Sequence, residues 1–418
     1  MKVKLIYPGI EKGNQEVFLP YLWFPLNSFP ILAAYTPEDI DLEIIDEVIE
    51  PIDFDDPVDL VGLTAMTYSV HRAYEIAAEY RKRGITVVMG GFHASAVPGE
   101  TQKHVDTVVV GEGEETWPRV LEDFKKGRLK PLYTSDHFFD MTAYKTPRMD
   151  LLAKYCPSYD HYSPPYYPTL NIVEISRGCP FECDFCAVTN FHGKKYRLRP
   201  IADVLKEIRF RKLQSRQRYI AINDDNLFGN KAYFRELLVG LTKLNVTWGA
   251  QMSVNVASDE DMLSLLRDSG CQSVGFGIES LSQESLDSIH KKTNKVKEYD
   301  ELFDRVRKHN LKVYLGMMVG MDHDDESTFE KILDWLKGQM DVIIFANIHI
   351  ITPLPGTTLH RRLLKENRII DFDWKNYDTK HVVFKPRLMS GETLYQGFNM
   401  LLTEMQKVNL ENWKKWYI

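Results

Sequence analysis

The chain has 418 residues, of which 44% are hydrophobic and 27% charged, and its formal net charge is −7. That is enough chain for two or three domains, each with its own core, and the composition is ordinary for a globular protein. The acidic balance argues against a nucleic-acid surface, no stretch reaches the apolar length needed to span a bilayer, and no repeat or low-complexity segment occurs. Residues 1–125 read as one α/β unit. Val3–Tyr7 looks like a first strand rather than part of a signal peptide. Short apolar strands follow at Leu42–Ile45, Leu60–Thr64, Thr86–Met89 and Thr107–Val110, with helices near His71–Arg83 and Trp117–Lys126. This alternation predicts a doubly wound, Rossmann-type parallel sheet, whose ligands sit at the carboxyl ends of its strands. Glycines fall at those ends: Gly90 and Gly91 after the fourth strand, Gly111 and Gly113 after the fifth. Without a Cβ they let a backbone approach a ligand closely. His93, just beyond, reads on its own as a solvent-facing or locally hydrogen-bonded histidine.

Residues 126–168 form a connector rich in tyrosine and proline, as in Tyr162–Pro168, with little periodicity. It suits a plain linker and a cover over the active site equally well. Residues 169–370 return to strand–helix alternation. Strands are predicted at Asn171–Ser176, Tyr219–Asn223, Thr247–Ser253, Ser273–Ile278, Lys312–Val319 and Asp341–Ile350. Helices fall between them at Ile201–Lys212, Ala232–Leu244, Glu260–Ser269, Lys297–His309 and Glu326–Lys337. About six βα units in a row predict a partial (β/α)6 barrel, with active residues at the C-terminal ends of its strands. Residues 371–418 carry Trp374, Tyr377 and a helix around Glu392–Asn412, and are expected to form a small cap.

The most specific feature is Cys179, Cys183 and Cys186, spaced C-x3-C-x2-C with Phe185 before the last, in the loop after the first barrel strand. Three thiolates within eight residues can ligate one iron–sulfur cluster. A cubane has four irons, so one iron is left open for a non-protein ligand. Zinc is the main rival, but it favours four ligands and paired C-x2-C units, and there is no second pair. A disulfide framework is unexpected in a long chain with five cysteines and no recognisable leader. Cys156 and Cys271 read as packing residues.

Polar groups gather where barrel strands end: Asn223, Asp224, Asp225 and Asn226 after the second, Ser253 and Asn255 after the third, Glu279 and Ser280 after the fourth. Such positions also cap helices, so a structural role competes with a functional one. Glycines at 316 and 320 near the fifth strand suit either a ligand lying on backbone or a bulge, and Pro353–Thr357 suits a rigid turn.

Both halves resemble radical SAM enzymes that carry an N-terminal cobalamin-binding domain. The resemblance covers most of the chain. It rests on the three cysteines with Phe185, on Leu60–Thr64, Gly90–His93 and Val110–Glu115, and on Asp224–Gly229, Gly275–Ser280 and Pro353–Thr357. It implies a 4Fe–4S cluster on Cys179, Cys183 and Cys186, with S-adenosylmethionine (SAM) on the open iron. Phe185 would lie against adenine. Asp224, Asp225, Ser253 and Glu279 would meet the ribose hydroxyls and ammonium group, and Gly316 and Gly320 would back the adenine. Thr64, Tyr68, Gly90, Gly91, His93, Gly111 and Glu112 would cradle cobalamin. Reductive cleavage of SAM would give a 5′-deoxyadenosyl radical that abstracts hydrogen from an unactivated carbon, to which cobalamin then delivers a methyl group. The resemblance further implies a substrate between the cobalt face and the barrel opening, near the connector and the C-terminal tail. That substrate could be large and apolar, a lipid precursor or a tetrapyrrole. A flavodoxin- or ferredoxin-type electron donor, a cytoplasmic location and an anaerobic setting are also implied.

None of the 12 histidines lies in the Asp-x-His-x-x-Gly loop with which cobalamin mutases ligate cobalt. Many radical SAM members lack it too, and a domain that keeps the fold without the cofactor stays open. Two other readings remain beside methyl transfer: radical cyclisation, coupling or rearrangement with or without cobalamin, and a metal- or cobalamin-responsive binding module.

Overall fold

The computed structural model describes residues 1–9, 27–156, 170–214 and 219–417; the Tyr162–Pro168 run lies outside them. The chain divides into two compact units. The first is Met1–Leu170 with Asn190–His192 and Asp373–Lys375. The second is Asn171–Thr189, Gly193–Phe372 and Asn376–Ile418.

The first unit is a six-stranded parallel sheet: β1 (Lys2–Tyr7), β2 (Asp41–Asp46), β3 (Leu60–Thr64), β4 (Thr86–Gly90), β5 (Thr107–Val110) and β6 (Leu132–Thr134), in the order β2-β1-β3-β4-β5-β6. Val3 lies opposite Leu42 on one side and Leu60 on the other. The strand order therefore reverses between β1 and β3, which makes their carboxyl ends the crevice where doubly wound sheets bind ligands. The strands read as unbroken apolar runs because both faces are covered. Leu5, Leu60 and Val88 pack with Trp117 and Leu121 on one side. Ile6, Val61, Leu63, Val87 and Met89 pack with Ile76, Ala77 and Tyr80 on the other. Strand β6 falls in the connector, where the sequence shows no pattern. It has three residues and only Tyr133 turns inward, too few for a period of two to register. Tyr133 anchors it by donating to Asp123 at 2.8 Å.

The second unit contains β7 (Ile172–Val173), β8 (Ser176–Arg177), β9 (Arg197–Leu198), β10 (Tyr219–Ile222), β11 (Thr247–Met252), β12 (Cys271–Glu279), β13 (Lys312–Val319) and β14 (Ile343–Ile350). Six of these form a parallel sheet in the order β14-β13-β12-β11-β10-β7, with helices Ile201–Gln214, Lys231–Thr242, Glu260–Asp268, Tyr299–Lys308 and Ser327–Gly338 between them. Alternate residues separate the two faces. Trp248, Val274, Phe276, Val313, Leu315 and Ile348 are buried. In the other register Gln251 and Asn347 are exposed, and Gly275, Gly277 and Gly316 are only half-buried. One face is thus packed and the other open, as a partial barrel requires.

The predicted strand Asn171–Ser176 is broken. After β7 the chain leaves the sheet, and β8 pairs antiparallel with β9. Asp224 takes up the turn, accepting from the Ser176 amide at 3.0 Å and its hydroxyl at 2.6 Å. The open edge of β14 is closed by the C-terminal helix Gly391–Tyr417. Asn409 on that helix accepts from the Ala346 amide at 2.9 Å and donates to its carbonyl at 3.0 Å.

Candidate active site

The cysteine loop joins β8 to β9. Its entry is fixed by Arg177, which is buried and forms two 3.0 Å bonds with the Glu174 carboxylate. Gly178 follows at φ +86°, a left-handed conformation suited to glycine, and donates to Asp225 at 3.2 Å. The Cys179 amide donates to Gly193 across the loop at 3.2 Å. Asp184, between the second and third cysteines, is held three ways. Its amide donates to the Ile289 carbonyl at 3.0 Å, its carbonyl accepts from Leu359 at 2.8 Å, and its carboxylate lies 3.0 Å from His290 Nδ1.

All three thiols are half-buried and burial pushes each of them up, Cys186 to about 11. Opposing that, the Lys291 ammonium acts on all three as a nearby positive charge. Lys291 pairs with Glu279 at 2.8 Å and sits 5.9 Å from the centre of the Phe185 ring, a cation–π distance. Burial would lower the Lys291 pKa, but Glu279 and the thiols turn the net shift upward. Glu279 has φ +65°, an uncommon backbone for a side chain this size. Asn294 helps hold that backbone by donating to Gly277 and Ile278, each at 2.9 Å.

The other expected SAM residues divide. Asp224 is buried behind the loop, where burial raises its carboxyl well above the usual range and one of its oxygens has no partner. Asp225 is half-buried and grips Gly178. The Ser253 amide and hydroxyl both donate to Asn226, at 3.0 Å each. The Asn226 amide nitrogen is buried with no partner and lies beside the Cys179 thiol. Gly316 lies on the open face, where a Cβ would stand 3.8 Å from the Gly277 Cα. Gly320 faces packing instead: a Cβ there would come within 2.7 Å of Leu394 and 3.3 Å of Phe384. Three thiols from one loop, a half-buried cation and the Asn226 amide donor at the first cysteine fit a 4Fe–4S cluster with one open iron.

In the first unit the expected cobalamin residues cluster at the carboxyl ends of β3, β4 and β5. Gly91 has φ +91°, and a Cβ on it would stand 2.2 Å from the Thr64 hydroxyl. Gly90 is extended and half-buried. Gly111 has φ +82° with nothing within 4 Å of a Cβ, and donates to Ser95 at 2.9 Å. Tyr68 is half-buried in the turn Thr67–Ser69. Met66 before it is exposed.

Two residues turn inward. Glu112 is buried and accepts from the Phe139 amide at 2.7 Å. His93 is fully buried rather than solvent-facing, with Nδ1 3.3 Å from Thr67 and Nε2 3.5 Å from Tyr74. Trp374 packs on its edge at 5.5 Å and donates to Glu100 at 2.9 Å. Burial lowers the His93 pKa to about 4. His93 therefore braces two loops from beneath, and no side chain at these loops presents a free imidazole. What remains is a glycine-lined recess beside Gly90 and Gly111, which fits a flat ring held by backbone.

Two family models match the chain: the radical SAM superfamily at residues 173–336 and the B12 binding domain at residues 30–121. Bacteriochlorophyllide d C-12(1)-methyltransferase of Chlorobaculum tepidum is 30% identical over 92% of this chain and 82% of its own length. The chain belongs to the cobalamin-binding radical SAM enzymes. A second relative, bacteriochlorophyllide d C-8(2)-methyltransferase of the same organism, is 32% identical over 85% of this chain and 79% of its own length. Among solved structures, the radical SAM methyltransferase TsrM of Kitasatospora setae, with cobalamin and a [4Fe-4S] cluster bound, superposes with a TM-score of 0.68. It is 16% identical and covers 87% of this chain and 78% of its own, so the likeness is one of fold. As a radical SAM enzyme of this family the chain uses a 4Fe–4S cluster, SAM and cobalamin.

Sequence reasoning did not single out Lys291, Asp184 or His290. Nothing in their spacing marks them. Lys291 and His290 reach the cysteines only because the chain reverses after the short helix Gln283–Ser288, with His290 at φ +56°. Asn226 belongs to the polar run Asn223–Asn226 that the sequence places after the second barrel strand.

Proposed function

We propose that this enzyme transfers a methyl group to an unactivated carbon of a tetrapyrrole, in the cytoplasm, with a flavodoxin- or ferredoxin-type protein supplying the electron. The single observation that supports it most is the pairing, in one chain, of a three-thiol loop with a glycine-lined recess at the carboxyl ends of β4 and β5 in a doubly wound sheet. When bound, the cluster and SAM supply a carbon-centred oxidant and cobalamin supplies the methyl group. The chain's own residues bind and orient. Asp184 and Arg177 fix the loop, Lys291 supplies positive charge beside the thiolates, and Glu279 balances that charge. Phe185 offers a ring face next to Lys291. Gly90 and Gly111 open the recess while His93 and Gly91 set its floor.

The test is anaerobic loading with iron, sulfide and hydroxocobalamin, followed by SAM turnover with a chlorophyllide-type acceptor. Stoichiometric cobalt, release of 5′-deoxyadenosine and an acceptor heavier by a methyl group are expected. The Cys183→Ala variant should keep cobalt and lose SAM cleavage by at least about a hundredfold, because the cluster then lacks one of three ligands. SAM cleavage without a methylated product would replace methyl transfer by cyclisation or rearrangement. Cleavage that persists in the Cys183 variant would remove the radical mechanism altogether.

A further inference from the structure

The open face of the second sheet carries one side chain with the geometry of a metal ligand, and nothing above uses it. His349 lies on β14 in the same register as the exposed Asn347, two residues on, so its side chain rises from the open face. Across the sheet its partner is Met318, and Asn347 lies opposite Gly316. His349 is near the C-terminal end of its strand, where barrel active sites are built. Its Nδ1 is 2.8 Å from the hydroxyl of Thr379. Thr379 is itself held, with its carbonyl accepting from the Ile350 amide at 2.8 Å. Among the described residues no hydrogen bond reaches Nε2.

A neutral imidazole pinned at Nδ1, with Nε2 free, is how proteins prepare a histidine to ligate metal. In the tautomer with its proton on Nδ1, the imidazole donates to the Thr379 hydroxyl and leaves the Nε2 lone pair outward. Burial keeps this imidazole neutral, lowering its pKa to about 4.

We propose that His349 Nε2 is the axial ligand to the central metal of a magnesium tetrapyrrole substrate. The proposal rests on the tetrapyrrole reading above. A bacteriochlorophyllide is a ring with a central magnesium ion, and a five-coordinate metal takes one neutral nitrogen. The ring would lie beside β14 over Gly316, where a Cβ would meet only backbone, the Gly277 Cα and the Phe276 carbonyl at 3.8 Å, while Glu279 and Lys291 cover Gly277 and bound the site on that side. Coordination uses the Nε2 lone pair, and the proton stays on Nδ1 toward Thr379. No bond of the substrate breaks and no electron is needed. The histidine is a positioning residue that sets which carbon of the ring edge faces the radical.

The test uses the full chain, loaded with iron and cobalamin, titrated anaerobically with zinc protoporphyrin IX and with metal-free protoporphyrin IX. Zinc takes a single axial nitrogen, and ligation moves its Soret band to longer wavelength. The wild-type chain should show that shift. His349→Ala should lose it and bind the zinc porphyrin about tenfold more weakly, with affinity for the metal-free ring changed less than twofold. Added imidazole should restore the shift in His349→Ala. His349→Gln, which keeps a polar group near Thr379, should also lack the shift. Unchanged iron and cobalt contents in both variants report that the chain has folded. A shift of equal size in His349→Ala overturns the proposal. So does a wild-type chain that binds zinc porphyrin unshifted or not at all. If that chain still methylates another acceptor, the methyltransferase reading stands and only the axial-ligand assignment falls.

Discussion

Gly91 at the floor of the recess and Gly111 at its mouth both have left-handed backbones, at φ +91° and +82°, yet alanine should act on them differently. At either position a side chain at positive φ costs on the order of 1–3 kcal/mol. At Gly91 the new methyl would also stand 2.2 Å from the Thr64 hydroxyl. That overlap forces β4 away from β3 and adds about 1–3 kcal/mol. At Gly111 nothing lies within 4 Å. For a domain of 150–250 residues each kcal/mol moves the melting temperature by about 2–4 °C. Gly91→Ala should therefore lower the melting point of the first unit by on the order of 10 °C, and Gly111→Ala by about half of that or less. Cobalamin binding should reverse the ranking: in Gly111→Ala the methyl occupies the recess, so affinity should fall at least about tenfold at modest loss of stability. The assays are thermal unfolding of the cofactor-free chain by circular dichroism and titration with hydroxocobalamin by absorbance. Thr64→Ala combined with Gly91→Ala should recover part of the lost stability. Equal melting points for the two single variants, with no recovery in the double, would refute the steric argument. Wild-type cobalamin affinity in Gly111→Ala would refute the placement of the recess.

Other outcomes follow from the same geometry. Lys291→Met removes positive charge beside the thiols and leaves Glu279 unbalanced. The cluster's reduction potential, read by anaerobic titration with EPR detection, should move negative by tens of millivolts, and Lys291→Arg should restore most of it. His93 has a folded pKa of about 4, below the unfolded value of about 6.5. Between those values the unfolded chain binds more protons, so the first unit should lose up to about 3 kcal/mol as pH falls from about 6.5 to 4. His93→Asn should flatten that slope in denaturant titrations, and an unchanged slope would assign the pH dependence elsewhere. Asn409→Ala uncovers the Ala346 amide and carbonyl. A loss of about 2 kcal/mol and a rise in self-association by light scattering are expected, since an unpaired strand edge recruits another.

Much of this was legible because parallel sheets bury both faces and so leave uninterrupted apolar runs. Leu60–Thr64 and Lys312–Val319 emerge with the predicted limits for that reason. The three cysteines are legible for a chemical reason: their spacing is local, and a loop that brings thiolates together can be read along the chain. Where the reading failed, the deciding contact was distant. The strand at Asn171–Ser176 breaks because Asp224, far along the chain, captures Ser176. Asp224 and Gly320 sit at strand ends, as ligand residues do, and each also has a structural contact there: one Asp224 oxygen holds Ser176, and Gly320 admits the approach of Leu394. For His93 the sequence leaves a solvent-facing and a locally hydrogen-bonded role open, because nothing nearby in sequence announces Tyr74 or Trp374; the structure takes the second. Lys291, which acts on the cysteines through space, carries no periodic or spacing signal.

The three-way hold on Asp184 bears on how the enzyme survives air. Its bonds to Ile289, His290 and Leu359 are made by protein alone, so the loop keeps its shape when oxygen strips the iron. A damaged molecule is then a vacant but folded socket. Repair by reloading should proceed at the rate at which iron and sulfide are delivered, without passing through unfolding or renewed synthesis.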